Sequence, residues 1–348
     1  MITRAFHAWE ARLASVSTDR VVRPFEWGLD WLDGDHADAP TPREAIRAWG
    51  DRAVADSTAF FTPAPTSDYE HVAGPGGGDS TTLRFPSALV TPHPENNTVV
   101  ARYFPAPATR RGGRAAARRA VVVLPQWNSD AGGHVGLCRL LARTGVSALR
   151  LSLPYHDARR PPELHRADYL LSANIGRTLQ VCRQGVLDAR RAIWWLHGQG
   201  YDRIGLLGTS LGSCLATLTA CHEPLVTAQA LNHVSPYFAD VVWRGLSTRH
   251  VRAGLEGHID LDDLREAWRP ISPWTYIDRA ARLKTLLVYA RYDLTFPLDL
   301  SRMLIDEFRQ RGLPHEVAML PCGHYSTGVA PFKYLDGYYL QRFIDRNL

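Results

Sequence analysis

Residues Arg203 to Cys214 read RIGLLGTSLGSC. An apolar run leads to Ser210, which is flanked two positions away on each side by Gly208 and Gly212, and small and apolar residues follow. The pattern predicts a buried strand that turns sharply at Ser210 into a helix. At such a turn the serine backbone is strained, and the converging strand and helix leave no room for side chains at the two glycine positions. The turn lifts the hydroxyl above the sheet and aims the first helical amides at the same spot. The N–H of Leu211 is therefore a candidate donor to a developing oxyanion.

The same alternation extends on both sides. AVVVL (Ala120 to Leu124) is the continuous β-branched run of a strand covered on both faces, and VSALRLSL (Val146 to Leu153) follows after a helical GLCRLLARTG closed by Gly145. Before RIGLL, the residues Leu179, Cys182, Val186, Ala189, Ile193 and Leu196 recur in steps of three and four, which places them on one helical face. AQALNHV (Ala228 to Val234), TLLVYA (Thr285 to Ala290) and HEVAML (His315 to Leu320) supply further strands. Strands alternating with helices imply an α/β fold: a mainly parallel sheet, right-handed crossovers and helices on both faces. Upstream, TLRFPSAL (Thr82 to Leu89) and TVVARYF (Thr98 to Phe104) read as an antiparallel hairpin. GPGGGDS (Gly74 to Ser80) marks a flexible break before them. Residues 1–80, with FEWGLDWL and PREAIRAW, read as a helical extension packed on a main domain spanning 81–348. The long interval between Val234 and Thr285 predicts a helical insertion at about 240–282, with Asp260 capping a short helix, set over the carboxyl edge of the sheet as a partial lid.

Two further residues follow strands. Asp293 lies in LLVYARYDLTFPLD and His324 in VAMLPCGHYSTG. Gly208-Thr209-Ser210-Leu211-Gly212 after an apolar strand, then Asp293, then His324, resembles the α/β-hydrolase superfamily, and within it esterases and dienelactone-hydrolase-like members. The resemblance covers roughly residues 82–348 and leaves the first 80 unexplained. It implies the α/β-hydrolase fold and a serine hydrolase that cleaves carboxylic esters through an acyl-enzyme. A hydroxyl is a poor nucleophile until a base takes its proton, and histidine as a residue type suits that task, so Ser210 needs His324. Asp293 would hold the correct tautomer and stabilise the imidazolium. Asp240 is a rival acid, because it follows the preceding strand. An amidase, peptidase, thioesterase or acyltransferase would use the same three groups, and a binding protein without catalysis would use none.

The second oxyanion donor departs from the family pattern. Where the family often carries His-Gly, this chain reads Pro125-Gln126-Trp127-Asn128, so the amide of Trp127 is the first candidate and that of Gln126 the second. Tyr155, His156, His233 and Tyr237 leave strands on the same sheet edge and are candidates for substrate contact, with His134 ambiguous between site and scaffold.

Composition narrows the rest. The chain has 348 residues, 45% of them hydrophobic, and a net charge of +5. That charge does not argue for nucleic acid, because TRRGGRAAARR (Thr109 to Arg119) concentrates five arginines in what reads as a solvated loop. Five cysteines are scattered without metal-ligand spacing, and an odd number without a secretory segment reads as reduced thiols in a cytoplasmic protein. No apolar run approaches membrane-spanning length, and no metal or organic cofactor is expected. The expected partner is a small-molecule ester, with homo-oligomerisation left open.

Overall fold

The computed structural model describes all residues except 35–38, 74–77, 108–109, 112–113 and 116. Among the described residues nine strands form one sheet: β1 (Glu70–Ala73), β2 (Thr81–Pro86), β3 (Thr98–Phe104), β4 (Arg119–Leu124), β5 (Ser147–Leu151), β6 (Arg203–Thr209), β7 (Val226–Asn232), β8 (Lys284–Ala290) and β9 (His315–Leu320). Their spatial order is β1-β2-β3-β5-β4-β6-β7-β8-β9. The first three strands pair antiparallel, β3 pairs antiparallel with β5, and every pairing from β5 through β9 is parallel.

The central strands are apolar at nearly every position because both faces are covered. Val121, Val122, Val123 and Leu124 are wholly buried, and so are Leu206 and Leu207. One face packs on a helix whose sequence periodicity was clear, Ile175–Gly198, where Leu179, Cys182, Val186, Ala189, Ile193 and Leu196 are all fully buried. Asn174 caps that helix by accepting the Arg177 amide at 2.8 Å. The opposite face packs on the C-terminal helix through Leu340, Phe343 and Ile344.

The helices are α1 (Ile2–Ala14), α2 (Pro42–Ala55), α3 (Ser57–Phe60), α4 (Val135–Arg143), α5 (Ile175–Gly198), α6 (Leu211–His222), α7 (Phe238–Arg244), α8 (Arg249–Leu255), α9 (Leu261–Ala267), α10 (Leu298–Gln310) and α11 (Phe332–Asn347). The insertion between β7 and β8 comprises α7 to α9 and three 3-10 segments. Asp260 does cap α9, accepting the Asp263 amide at 2.9 Å. Leu264 of α9 and the adjoining Trp268 have no exposed surface. The apolar side of this helix therefore packs into the core while Asp262, Arg265 and Glu266 face solvent, and the part of the insertion that faces the sheet edge is mainly α7 with the turn after it.

Strand β1 escapes sequence reading. All four of its residues are exposed, so it has no alternation to betray it. It lies before residue 80 yet hydrogen-bonds to the sheet, so the expected boundary at that residue separates one edge strand from its neighbours. The break at Gly74 to Ser80 falls largely outside the described residues, as does much of the arginine-rich stretch, although a short ribbon joins Arg110–Arg111 to Arg114–Ala115. All five cysteines are free and buried. No helix among the described residues is long and apolar enough to cross a membrane.

Candidate active site

The β6–α6 turn has the geometry its glycines demand. Ser210 sits at φ 57° and ψ −122°, a region that costs a side-chain-bearing residue strain. A Cβ on Gly208 would lie 2.2 Å from the Gly212 carbonyl, and one on Gly212 would lie 2.1 Å from the Leu124 carbonyl. Strand, helix and the end of β4 thus meet with no space to spare. The turn is pinned by the Ser210 amide on Asn232 O at 2.7 Å and by Ser213 Oγ, which donates to His233 O at 2.7 Å.

Strain recurs along this edge. Asn128 after β4, Tyr155 after β5 and His233 after β7 also have positive φ. The strand ends converge on one cavity of about 890 Å³, which Ser210, Leu211, Gln126, Trp127, His233 and His324 border. Tyr237, Phe238, Val241 and Val242 wall it from the insertion.

The structure brings His324 to Asp293: Nδ1 lies 3.1 Å from Oδ2. A second imidazole shares that oxygen, with His233 Nδ1 at 2.7 Å. The other carboxylate oxygen, Oδ1, accepts the amides of Thr295 and Phe296, both at 2.7 Å. Burial would raise the Asp293 pKa, but the neighbouring His324 and the two imidazole hydrogen bonds outweigh it and hold the carboxyl well below the usual range. Asp240, the rival acid, is buried and taken up by Arg265 at 2.6 Å. Among the described residues no hydrogen bond links Ser210 Oγ to either imidazole.

The amides of Leu211, Gln126 and Trp127 have no protein acceptor among the described residues, as an oxyanion site requires. His156 explains how a loop without glycine is held there. Its Nε2 accepts the Asn128 amide at 2.8 Å while Nδ1 donates to Pro154 O at 2.8 Å. Burial drives its pKa down to about 4, which keeps it neutral and able to accept. His156 therefore does not border the cavity. Nor does Tyr155, which is fully buried with its hydroxyl 3.0 Å from His93 Nδ1. Both expected substrate contacts are corrected: these side chains scaffold the edge from beneath. His233 and Tyr237 do border the cavity, and so does His134.

His233, Asp293 and His324 present ligand atoms within 4.8 Å of one another, the donor set a divalent transition metal would take.

The first helix supplies what sequence reading missed. Glu10 has no exposed surface and accepts the Tyr325 amide at 2.8 Å, the Ser326 amide at 2.9 Å and Ser326 Oγ at 2.6 Å. A Cβ on Gly323 would lie 2.3 Å from the Glu10 side chain, so this carboxylate seats directly on the loop that carries His324. Phe6 stacks on Tyr292, centroids 4.3 Å apart, beside Asp293. Glu10→Ala strands two buried amides and is expected to lower the unfolding free energy by about 3 kcal/mol in urea titration.

A carboxyl also stands apart from the pair just described. Burial lifts the Asp336 pKa to about 6, only partly opposed by nearby His233 and the Asn232 hydrogen bond. A raised carboxyl contributes stability that is complete below its unfolded value of 3.8 and lost as pH rises through about 6. Asp336→Asn is thus expected to gain about 2 kcal/mol on the native protein between pH 4 and pH 8, read from paired denaturation curves.

A sequence model described as alpha/beta hydrolase domain containing 18 matches residues 134–247, about a third of the chain. No curated protein matches the sequence significantly. Among solved structures, acetyl xylan esterase 1 from Thermoanaerobacterium sp. JW/SL YS485 aligns with TM-score 0.59 and 14% identity over 95% of this chain and 98% of its own. Acetyl xylan esterase from Paenibacillus sp. R4 gives TM-score 0.59 and 17% identity, over 87% and 94% of the two chains. Pyrococcus horikoshii acylaminoacyl peptidase gives TM-score 0.59 and 16% identity over 80% of this chain, which spans only 42% of that peptidase. Identities this low carry the fold alone: together with the sheet order and the serine turn they show that the chain has the α/β-hydrolase fold.

Proposed function

We propose that the protein is a serine hydrolase that cleaves carboxylic esters through an acyl-enzyme on Ser210. His324 is the base that takes the hydroxyl proton and returns it to the leaving alcohol, and Asp293 orients it. The amides of Leu211 and Trp127 receive the oxyanion, each donor contributing on the order of 3 kcal/mol to the transition state. One observation carries the reading: Asp293 holds His324 Nδ1 at 3.1 Å in the wall of the same cavity into which the strained Ser210 opens. The contact between Ser210 Oγ and the imidazole forms as substrate fills the cavity, since such bonds tighten in the bound complex.

The resemblance in fold to acetyl xylan esterases supports an ester substrate, and that to an acylaminoacyl peptidase keeps amide cleavage in the test. The experiment is a fluorophosphonate label, located by mass spectrometry, with p-nitrophenyl esters of graded chain length and a matched anilide. Ser210 labelled, esters cleaved and activity indifferent to chelators is the expected result. Chelator-sensitive turnover with Ser210 unlabelled would instead favour a metal held by His233, Asp293 and His324. Anilide turnover comparable to ester turnover would overturn the ester assignment while keeping the nucleophile.

A further inference from the structure

The cavity continues past Ser210 on the side where α4 and α11 meet. Thr209 and Asn232, the last residues of β6 and β7, are register partners there. Thr209 Oγ1 lies 2.9 Å from His134 Nε2, and Asn232 Nδ2 donates to Asp336 Oδ2 at 2.9 Å. Each of these bonds uses only half of what its members offer. Asp336 Oδ1, Asn232 Oδ1 and His134 Nδ1 are buried atoms with no protein partner among the described residues. Asn232 is 1% exposed, and all four side chains border the same cavity as the nucleophile.

Buried polar groups are almost always paired, so three adjacent orphans on one cavity wall mark a place where a ligand completes the bonding. Their chemistry selects its type. Asp336 and Asn232 offer acceptors, so the ligand must donate twice. His134 offers one ring nitrogen, which donates when Nε2 accepts from Thr209, and burial drives its pKa down to about 4, keeping it uncharged. An ammonium meets the acceptors but has nothing to give a donating imidazole, and Lys333, one turn before Asp336, borders the same space. Neighbouring hydroxyls donate and accept, and match all three. The far lobe, under Phe238, Val241 and Val242, is apolar and suits an acyl chain.

We propose that the lobe framed by His134, Asn232 and Asp336 is a polyol subsite, which binds the hydroxyls of the alcohol half of the ester attacked by Ser210. This rests on the serine-hydrolase reading. Glyceryl monobutyrate and propyl butyrate share a carbon skeleton and differ in the hydroxyls, so the ratio of their kcat/KM values isolates the subsite. A site built to hydrogen-bond a hydroxyl discriminates strongly against the analogue that lacks it. The ratio is expected to be at least tenfold in the native enzyme and to fall toward one in Asp336→Ala. Asp336→Asn, nearly the same size, guards against misfolding and is expected to lower the ratio too. A native ratio near one, a ratio unmoved by both variants, or a preference for butyrylcholine over both esters overturns the proposal. Calorimetry of methyl glucoside on Ser210→Ala protein reads the subsite without chemistry. Binding there that is lost on adding Asp336→Ala supports it even if no ester is cleaved, and absence of binding counts against it.

Discussion

Ser210→Ala is expected to lower kcat/KM on p-nitrophenyl esters by roughly 10⁴- to 10⁶-fold, a loss of about 5–8 kcal/mol of transition-state stabilisation. The fold should survive. Ser210 Oγ makes no hydrogen bond among the described residues, and alanine bears the same Cβ into the same strained backbone at φ 57°. The turn is held by groups the substitution leaves alone: the Ser210 amide on Asn232 O, Ser213 on the carbonyls of Ser210 and His233, and the glycine contacts on either side. Circular dichroism and the urea midpoint of the variant should therefore overlay the native protein. What remains of catalysis then measures the oxyanion amides and binding alone. A variant that keeps more than a tenth of native turnover, with a native-like denaturation curve, would remove Ser210 from the chemistry.

How much of this was legible beforehand follows a physical line. The inner parallel strands were readable because burial on both faces demands apolar runs, the edge strand β9 only through its short apolar composition, since Glu316, Val317 and Met319 are exposed, and the turn was readable because Gly208 and Gly212 answer carbonyl clashes local to the chain. Asp293 and His324 were marked as candidates for a related reason, each being a polar residue in the loop that follows a strand, and the structure sets their side chains 3.1 Å apart. Contacts between distant segments carry no such mark. Glu10 sits within HAWEARLA, an ordinary amphipathic stretch, and nothing local to it announces that its carboxylate will hold residues 325 and 326. Tyr155 and His156 were placed at the correct sheet edge, but a sequence does not say whether a side chain there points up into a cavity or down into a scaffold. Strand β1, wholly exposed, is defined by backbone pairing alone. The insertion was legible as an interval too long for a simple crossover, yet its burial was not, since Trp268 is as apolar in a core as in a lid.

Asp293→Asn is expected to cost about 10⁴-fold in kcat, as loss of the orienting acid does in a Ser-His-Asp protease, and the structure says why so small a change should cost so much. Oδ1 is fixed as an acceptor by two amides at 2.7 Å, so an asparagine must place its oxygen there and its NH₂ where Oδ2 was. That NH₂ now faces His324 Nδ1 and donates to it. The imidazole is forced to carry its proton on Nε2, the atom that has to accept from Ser210, and the base is lost without any movement of the backbone. His233 provides the control. It bonds the same Oδ2 at 2.7 Å, closer than His324 at 3.1 Å, and the two ring centroids are 4.3 Å apart. Either ring has the partner a base needs, but only His324 stands on the loop that Glu10 secures, with its ring parallel to Phe296 at 3°. His324→Ala is accordingly expected to lose nearly as much as Ser210→Ala, whereas His233→Ala, which leaves Asp293 with its remaining imidazole, should lose no more than about 100-fold, at or below the bottom of the span that a general base contributes. The comparison is made on kcat with fluorophosphonate labelling in parallel, because labelling reports whether Ser210 is still activated. If His233→Ala silences labelling and His324→Ala does not, the base is the residue after β7, and the two imidazoles exchange roles around an unchanged nucleophile and acid.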